Sequence, residues 1–218
     1  MSDLEQLPGE PAPTRRRGFG RLLWPIAAAG GVLLKIAGSL KFLGIFISVG
    51  GYALIWGWPF AVGLVLLILV HEVGHYVEAK RQGLNPRLPV FVPFLGAYVA
   101  LRNQRFDPWR NALVSIAGPI AGGLGALACL AYAEAADSRF WFALAYTGFF
   151  LNAINLVPIG FLDGGHILGA WRVLRHGGGH ASPAEARRRA TIVAAYSVAT
   201  AGALVLGMIV AHVPQSRL

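Results

Sequence analysis

Apolar runs of about twenty residues, recurring along the chain, constrain this sequence more than any other feature. A helix rises about 1.5 Å per residue, so a run of that length crosses a bilayer core of about 30 Å. Five runs are read: Phe42 to Trp56, Trp58 to Lys80, Arg110 to Ala136, Phe140 to Val157 and Arg189 to Val213. The composition agrees. Hydrophobic residues make up 56% and charged residues 13%, whereas soluble domains are about one-quarter charged. Mean hydropathy is +0.57. The expected fold is an all-α polytopic membrane protein with about five transmembrane helices, a small membrane-associated β-hairpin and an N-terminal interfacial helix.

The interfacial helix is assigned to Leu22–Leu40. Pro25, Gly30, Gly31 and Lys35 interrupt that stretch, and lysines at mid-bilayer are costly. Residues 1–21 are polar, Pro-rich and carry Arg15, Arg16 and Arg17, so they read as a disordered cytosolic tail. They show no short apolar core with a small-residue cleavage site, so no removable signal peptide is read. Residues 22–213 form one membrane-embedded domain, and 214–218 a short tail. With five spans and a cytoplasmic N-terminus, the Lys80–Arg110 and Leu162–Arg189 segments share the cytoplasmic side. Most of the basic residues lie there, as the positive-inside rule requires. That placement accounts for the net charge of +9 and argues against nucleic acid as a partner. The single cysteine, Cys129, lies in an apolar run. It excludes an internal disulfide and CxxC zinc ligation, and reads as a buried, inert thiol.

Leu88 to Leu101 breaks the helical pattern. It reads LPVFVPFLGAYVAL, with Pro89, Pro93 and Gly96 among β-branched and aromatic residues, which predicts an extended hairpin or loop. An unpaired edge there suits pairing with an extended peptide. Simple packing of the hairpin on the bundle explains it equally well. In SIAGPIAGG, Gly118, Gly122 and Gly123 have the spacing that lets membrane helices approach closely. That run is read as packing.

The chemistry centres on His71-Glu72-Val73-Gly74-His75, which continues the apolar run Phe60 to Val70. Histidines at i and i+4 project from one helix face, so both reach one metal ion. Zinc accepts imidazole nitrogen, prefers four ligands, and lowers the pKa of water to about 7. Glu72 is placed to take a proton from that water and return it to a leaving amine. His71 lies about 13 Å along the helix from Lys80. At that depth three polar groups need partners or an ion. The competing reading is a chance match to a short motif.

A catalytic zinc needs a third protein ligand and an open position. Asp163 is the candidate, in NLVPIGFLDGG at the end of the fourth run. Gly164 and Gly165 allow close backbone approach there. Alternatively, Asp163 is the N-cap of a short helix from Gly164 to Leu174, and the two roles are compatible. Asn155 offers an amide donor to an oxyanion, or else bonds to a neighbouring helix. Asn152 is read as structural. His166 is near enough to the glycine pair to support the site, while His176 and His180 flank Gly177–Gly179 in a solvated loop.

HEVGH inside an apolar helix, followed by NLVPIGFLDGG at the end of a later one, resembles the site-2 protease family of intramembrane metalloproteases. The joint match covers roughly Trp58 to Leu174. The PFLGAYV segment and the SIAGPIAG helix start resemble family features as well. The resemblance implies one Zn2+ per chain held by His71, His75 and Asp163. It implies Glu72 as the catalytic glutamate, with Asn155 beside the scissile peptide. It further implies hydrolysis of peptide bonds in or near transmembrane segments of other membrane proteins. The chain resembles a minimal prokaryotic member with no PDZ domain between the motifs and no CBS pair after them. A multi-pass protein of a bacterial cell membrane is expected, with the lipid bilayer, a membrane-protein substrate and a regulatory membrane protein as partners.

Two rival readings differ in class. A membrane metalloprotease acting on soluble loops or prenylated tails tends to use a glutamate from a later helix as third ligand, and the acids after Glu72 offer nothing with the context of Asp163. A non-proteolytic zinc-binding transporter or scaffold retaining the same fold makes the same metal site and differs in lacking cleavage.

Overall fold

A computed structural model describes residues 47–86, 90–92, 96–98, 107–177 and 182–212. All of them belong to one compact unit, Lys41–Leu218. The expected tail 1–21, the interfacial helix Leu22–Leu40, His180 and the tail 214–218 lie outside the described residues. The first helix, α1, is described over Ile47–Trp56.

Local sequence explains where each helix begins and stops. Gly57 takes a positive φ of 82°, conformational space that glycine enters without penalty, and so separates α1 from α2 (Trp58–Arg81). Pro59 sits in the first turn of α2, where its missing N–H costs nothing. At the far end, Lys80 and Arg81 face the negative end of the helix dipole. Gly83, at φ 72°, then turns the chain so that the Leu84 N–H closes onto the Ala79 carbonyl at 3.0 Å. Two short strands follow, β1 (Val90–Val92) and β2 (Gly96–Tyr98). They pair antiparallel, with Val90 opposite Tyr98 and Val92 opposite Gly96, and β2 lies against α2.

Helix α3 (Pro108–Ala136) begins on Asp107, whose carboxylate accepts from the Trp109 N–H. A two-residue turn, with Asp137 left-handed at φ 45°, leads into α4 (Arg139–Asn155). Residues 156–162 then fold tightly into α5 (Asp163–Arg175). Helix α6 (Pro183–Ala211) opens with Ser182, Pro183 and Glu185. The Ser182 hydroxyl accepts from the Glu185 N–H, the bond of a capping box. The fifth apolar run is expected from Arg189, but the helix starts six residues earlier. A cap and a proline set its start, whereas hydropathy registers only its apolar part.

Helix α3 is the hub and packs on α2, α4, α5 and α6. One core cluster joins Ala126, Leu130 and Ala133 of α3 to Phe142, Ala145 and Phe149 of α4 and to Leu204 and Ala211 of α6. A second joins Ala112 and Ile116 of α3 to Ile167, Ala170 and Leu174 of α5 and to Ala190 and Val193 of α6. Cys129 is half-buried against the first cluster, less enclosed than expected.

Among the described residues, three helices, α2, α3 and α6, are long and apolar enough to cross a membrane. Helix α4 has 17 residues, about 25 Å of rise, which falls short of a full hydrocarbon core. Much of the α6 surface is apolar and exposed, including Val198, Val205, Leu206, Ile209 and Val210. An apolar surface of that kind faces lipid without penalty, and the chain is a membrane protein.

Candidate metal centre

His71 and His75 lie one turn apart on the buried face of α2, 7% and 8% exposed. Their Nε2 atoms face each other at 3.0 Å. Asp163, the first residue of α5, brings Oδ2 to 3.2 Å from His71 Nε2 and Oδ1 to 3.3 Å from His75 Nε2. The three residues each offer one ligand atom within 4.8 Å of the others. Asp163 does not cap α5. Leu162 holds the N-cap position, and no side chain caps that end. The carboxylate is turned to the histidines instead.

The outer ring nitrogens reveal what the inner ones can do. His75 Nδ1 lies 2.8 Å from the Val114 carbonyl oxygen. A carbonyl only accepts, so Nδ1 carries the proton and Nε2 of the neutral ring presents a lone pair. His71 Nδ1 lies 2.8 Å from Asn152 Oδ1, while Asn152 Nδ2 donates to the Gly148 carbonyl at 2.7 Å. That second bond fixes which end of the amide is oxygen. His71 therefore also donates from Nδ1 and presents a lone pair at Nε2. Two lone pairs and a carboxylate pointing at one place repel one another unless a cation lies between them. Ligands about 2.05 Å from a tetrahedral zinc stand about 3.3 Å apart, close to the three separations seen here. The residues fit zinc.

Glu72, 5% exposed, adjoins these ligands on α2. Its Oε2 is buried without a hydrogen-bond partner among the described residues, as is Asp163 Oδ2. Buried carboxylate oxygens left unpaired are costly, and in Asp163 a metal ion resolves the cost directly.

The glycines that read as packing make room for this site. A Cβ built on Gly118 of α3 would overlap the His75 ring, and one on Gly122 would overlap the Asn152 amide. A Cβ built on Gly74 would likewise come within 2.5 Å of the Ala117 carbonyl oxygen of α3. Pro119 lies within α3. It cannot donate to the Ser115 carbonyl and crowds it, which loosens the helix locally, one residue from the carbonyl that holds His75. Gly164 and Gly165 press against the Leu156, Val157 and Ile159 carbonyls. That tight turn delivers Asp163.

The sequence-predicted residues do not all assemble. Asn155 is half-buried at the last position of α4. No hydrogen bond among the described residues joins it to His71, His75 or Asp163. Asn152, expected to be structural, bonds across to His71 on α2. Its signal was its position one turn before Asn155 in an otherwise apolar helix. His166 is exposed on α5. His176 is exposed, with Nδ1 2.7 Å from the Arg172 carbonyl oxygen.

The sequence matches the model for Peptidase family M50 over residues 59–135 and 130–201. The chain belongs to peptidase family M50, the site-2 protease family. Both zinc-motif segments of this M50 chain lie inside the matched regions. The chain is also 29% identical over 186 residues to a protein from two strains of Mycobacterium tuberculosis named "Putative zinc metalloprotease Rip3". That similarity covers 76% of this M50 chain and 47% of the relative. The chain thus spans about half the length of the curated relatives it matches.

Proposed function

We propose that this chain is an intramembrane zinc metalloprotease that hydrolyses peptide bonds in or near transmembrane segments of other membrane proteins. The observation that carries the reading is the convergence of two lone-pair imidazoles and a carboxylate beside Glu72, on a helix long enough to span the bilayer. His71, His75 and Asp163 would hold the ion, which when bound would supply a Lewis acid and lower the pKa of water toward 7. Glu72, its Oε2 lacking a hydrogen-bond partner among the described residues, takes the proton of the attacking water and passes it to the nitrogen of the leaving amine. The Asn155 amide donates to the oxyanion that forms at the scissile carbonyl.

A helical substrate hides its carbonyls in its own hydrogen bonds, so a segment must unwind before attack. The β1–β2 pair, lying in the membrane, then accepts the unwound strand by edge pairing. The chain crosses a bacterial cell membrane five times, with α1 and the short α4, which a locally thinned bilayer accommodates, completing the count and the N-terminus in the cytoplasm. The Lys and Arg residues clustered at the α2 C-terminus, in α5 and at the α6 N-terminus support that orientation.

The test compares wild type with Glu72→Gln in liposomes carrying a model single-span substrate. Cleavage should vanish in the variant while zinc content stays at one per chain. Full activity in Glu72→Gln would overturn the proposed proton transfer. Zinc binding by wild type without cleavage of any membrane substrate would favour a metal-binding transporter or scaffold.

A further inference from the structure

We propose that Asn152 is a positioning residue for the metal centre, holding the His71 ring in the tautomer and orientation that aim Nε2 at the ion. The proposal rests on the metal reading above and deepens it. Asn152 lies on α4 and is 3% exposed. Its two amide atoms are both committed, Oδ1 to His71 Nδ1 at 2.8 Å and Nδ2 to the Gly148 carbonyl at 2.7 Å. The second contact prevents the amide from flipping, because the reverse orientation would set two oxygens against each other. Gly122 of α3 closes the third side, and any side chain there would occupy the amide's place. Three helices thus converge on one amide that reaches no ligand atom other than His71.

The two histidines are oriented by different kinds of partner. His75 leans on a main-chain carbonyl, Val114, which no substitution removes. His71 leans on a side chain. Outer partners of this kind change metal affinity about 10- to 100-fold, so the sequence controls the grip on zinc through Asn152. A role limited to helix packing predicts instead that Asn152 variants change stability and leave metal affinity alone.

The experiment uses the full chain in detergent micelles, with zinc affinity measured by competition against a chromophoric chelator and site geometry by cobalt(II) absorption. Asn152→Leu should weaken zinc binding about 10- to 100-fold and alter the cobalt spectrum. Asn152→Asp keeps an acceptor facing Nδ1 but sets its second oxygen against the Gly148 carbonyl, so it should bind zinc more tightly than Asn152→Leu and less tightly than wild type. Gly122→Ala, which displaces the amide without removing it, should weaken binding in the same direction. Wild-type affinity in Asn152→Leu overturns the proposal, as does an Asp variant as weak as the Leu variant. Should Asn152→Leu fail to fold, 15N NMR of histidine-labelled, zinc-loaded wild type decides. A slowly exchanging proton on His71 Nδ1 is expected, and an unprotonated Nδ1 overturns the proposal. A wild-type chain that binds no zinc takes down the metal reading itself, which is a separate result.

Discussion

Gly118→Ala should damage the metal centre without replacing any of its ligands. The new methyl would overlap His75 Cε1 and Nε2 and lie 2.9 Å from Cδ2. The ring has two ways to respond. It can rotate away, breaking the 2.8 Å bond from Nδ1 to the Val114 carbonyl and leaving a buried N–H unsatisfied at about 1–3 kcal/mol. It also loses the partner that orients its lone pair, worth about 10- to 100-fold in metal affinity, or about 1.4–2.7 kcal/mol. Alternatively α2 and α3 separate, an overpacking response that costs about 1–3 kcal/mol and disturbs Gly74 against the Ala117 carbonyl. Either way zinc affinity falls at least about tenfold. Gly202→Ala on α6 is the control, since nothing lies within 4 Å of its added Cβ. It should be neutral, or stabilise by up to about 1 kcal/mol through helix propensity. Zinc competition in detergent reads the first effect and thermal melting of the zinc-free chain reads the second. If Gly118→Ala binds zinc like wild type, the seating of His75 against α3 does not govern the site, and the reasoning fails.

Other perturbations follow from the same geometry. Asp163→Asn removes the anionic ligand while keeping the side chain's shape, and metal analysis should show it zinc-free under conditions that load wild type. Glu72→Gln should cut turnover of a membrane substrate about 10²- to 10⁴-fold, the range for a lost general base, with equal zinc content by the same analysis. Gly165→Ala sets a methyl against the Ile159 carbonyl, a main-chain atom with little freedom to yield. It should lower stability by about 1–3 kcal/mol and loosen zinc as Asp163 shifts, both readable in melts with and without metal. Stripping zinc with a chelator should lower the melting temperature of wild type, because a ligand at about 100 times its Kd stabilises by about 2.7 kcal/mol. Asp163→Asn should show no such drop.

How far the sequence carries this site depends on how local each relationship is. His71 and His75 are legible because i,i+4 spacing fixes their shared face whatever the tertiary structure. Asp163 is legible more indirectly, through the Pro158 break and the Gly164–Gly165 pair that force a turn at a helix end. Which amide meets His71 is not legible. Asn152 and Asn155 are three residues apart on one helix, and choosing between them requires knowing how α4 is rotated against α2. Packing sets that rotation, through Gly148 and Gly122. Gly118 and Gly122 show the same limit. Their spacing signals close approach, but whether the approaching group is a methyl or an imidazole is a tertiary fact. For the spans, hydropathy finds the apolar centre of each helix and caps set its ends, which is why α6 begins at Pro183.

Asp163 is delivered by α5, and this gives the site a history as well as a geometry. Asp163 follows His75 by 88 positions in the chain. At about 5–20 residues per second of synthesis, roughly 4–18 s pass between the emergence of the two histidines and that of the aspartate. During that interval a newborn chain owns two imidazoles, an unopposed glutamate and no anion to complete the set. The three-ligand set therefore stays incomplete until α3, α4 and the turn before α5 have been made and docked.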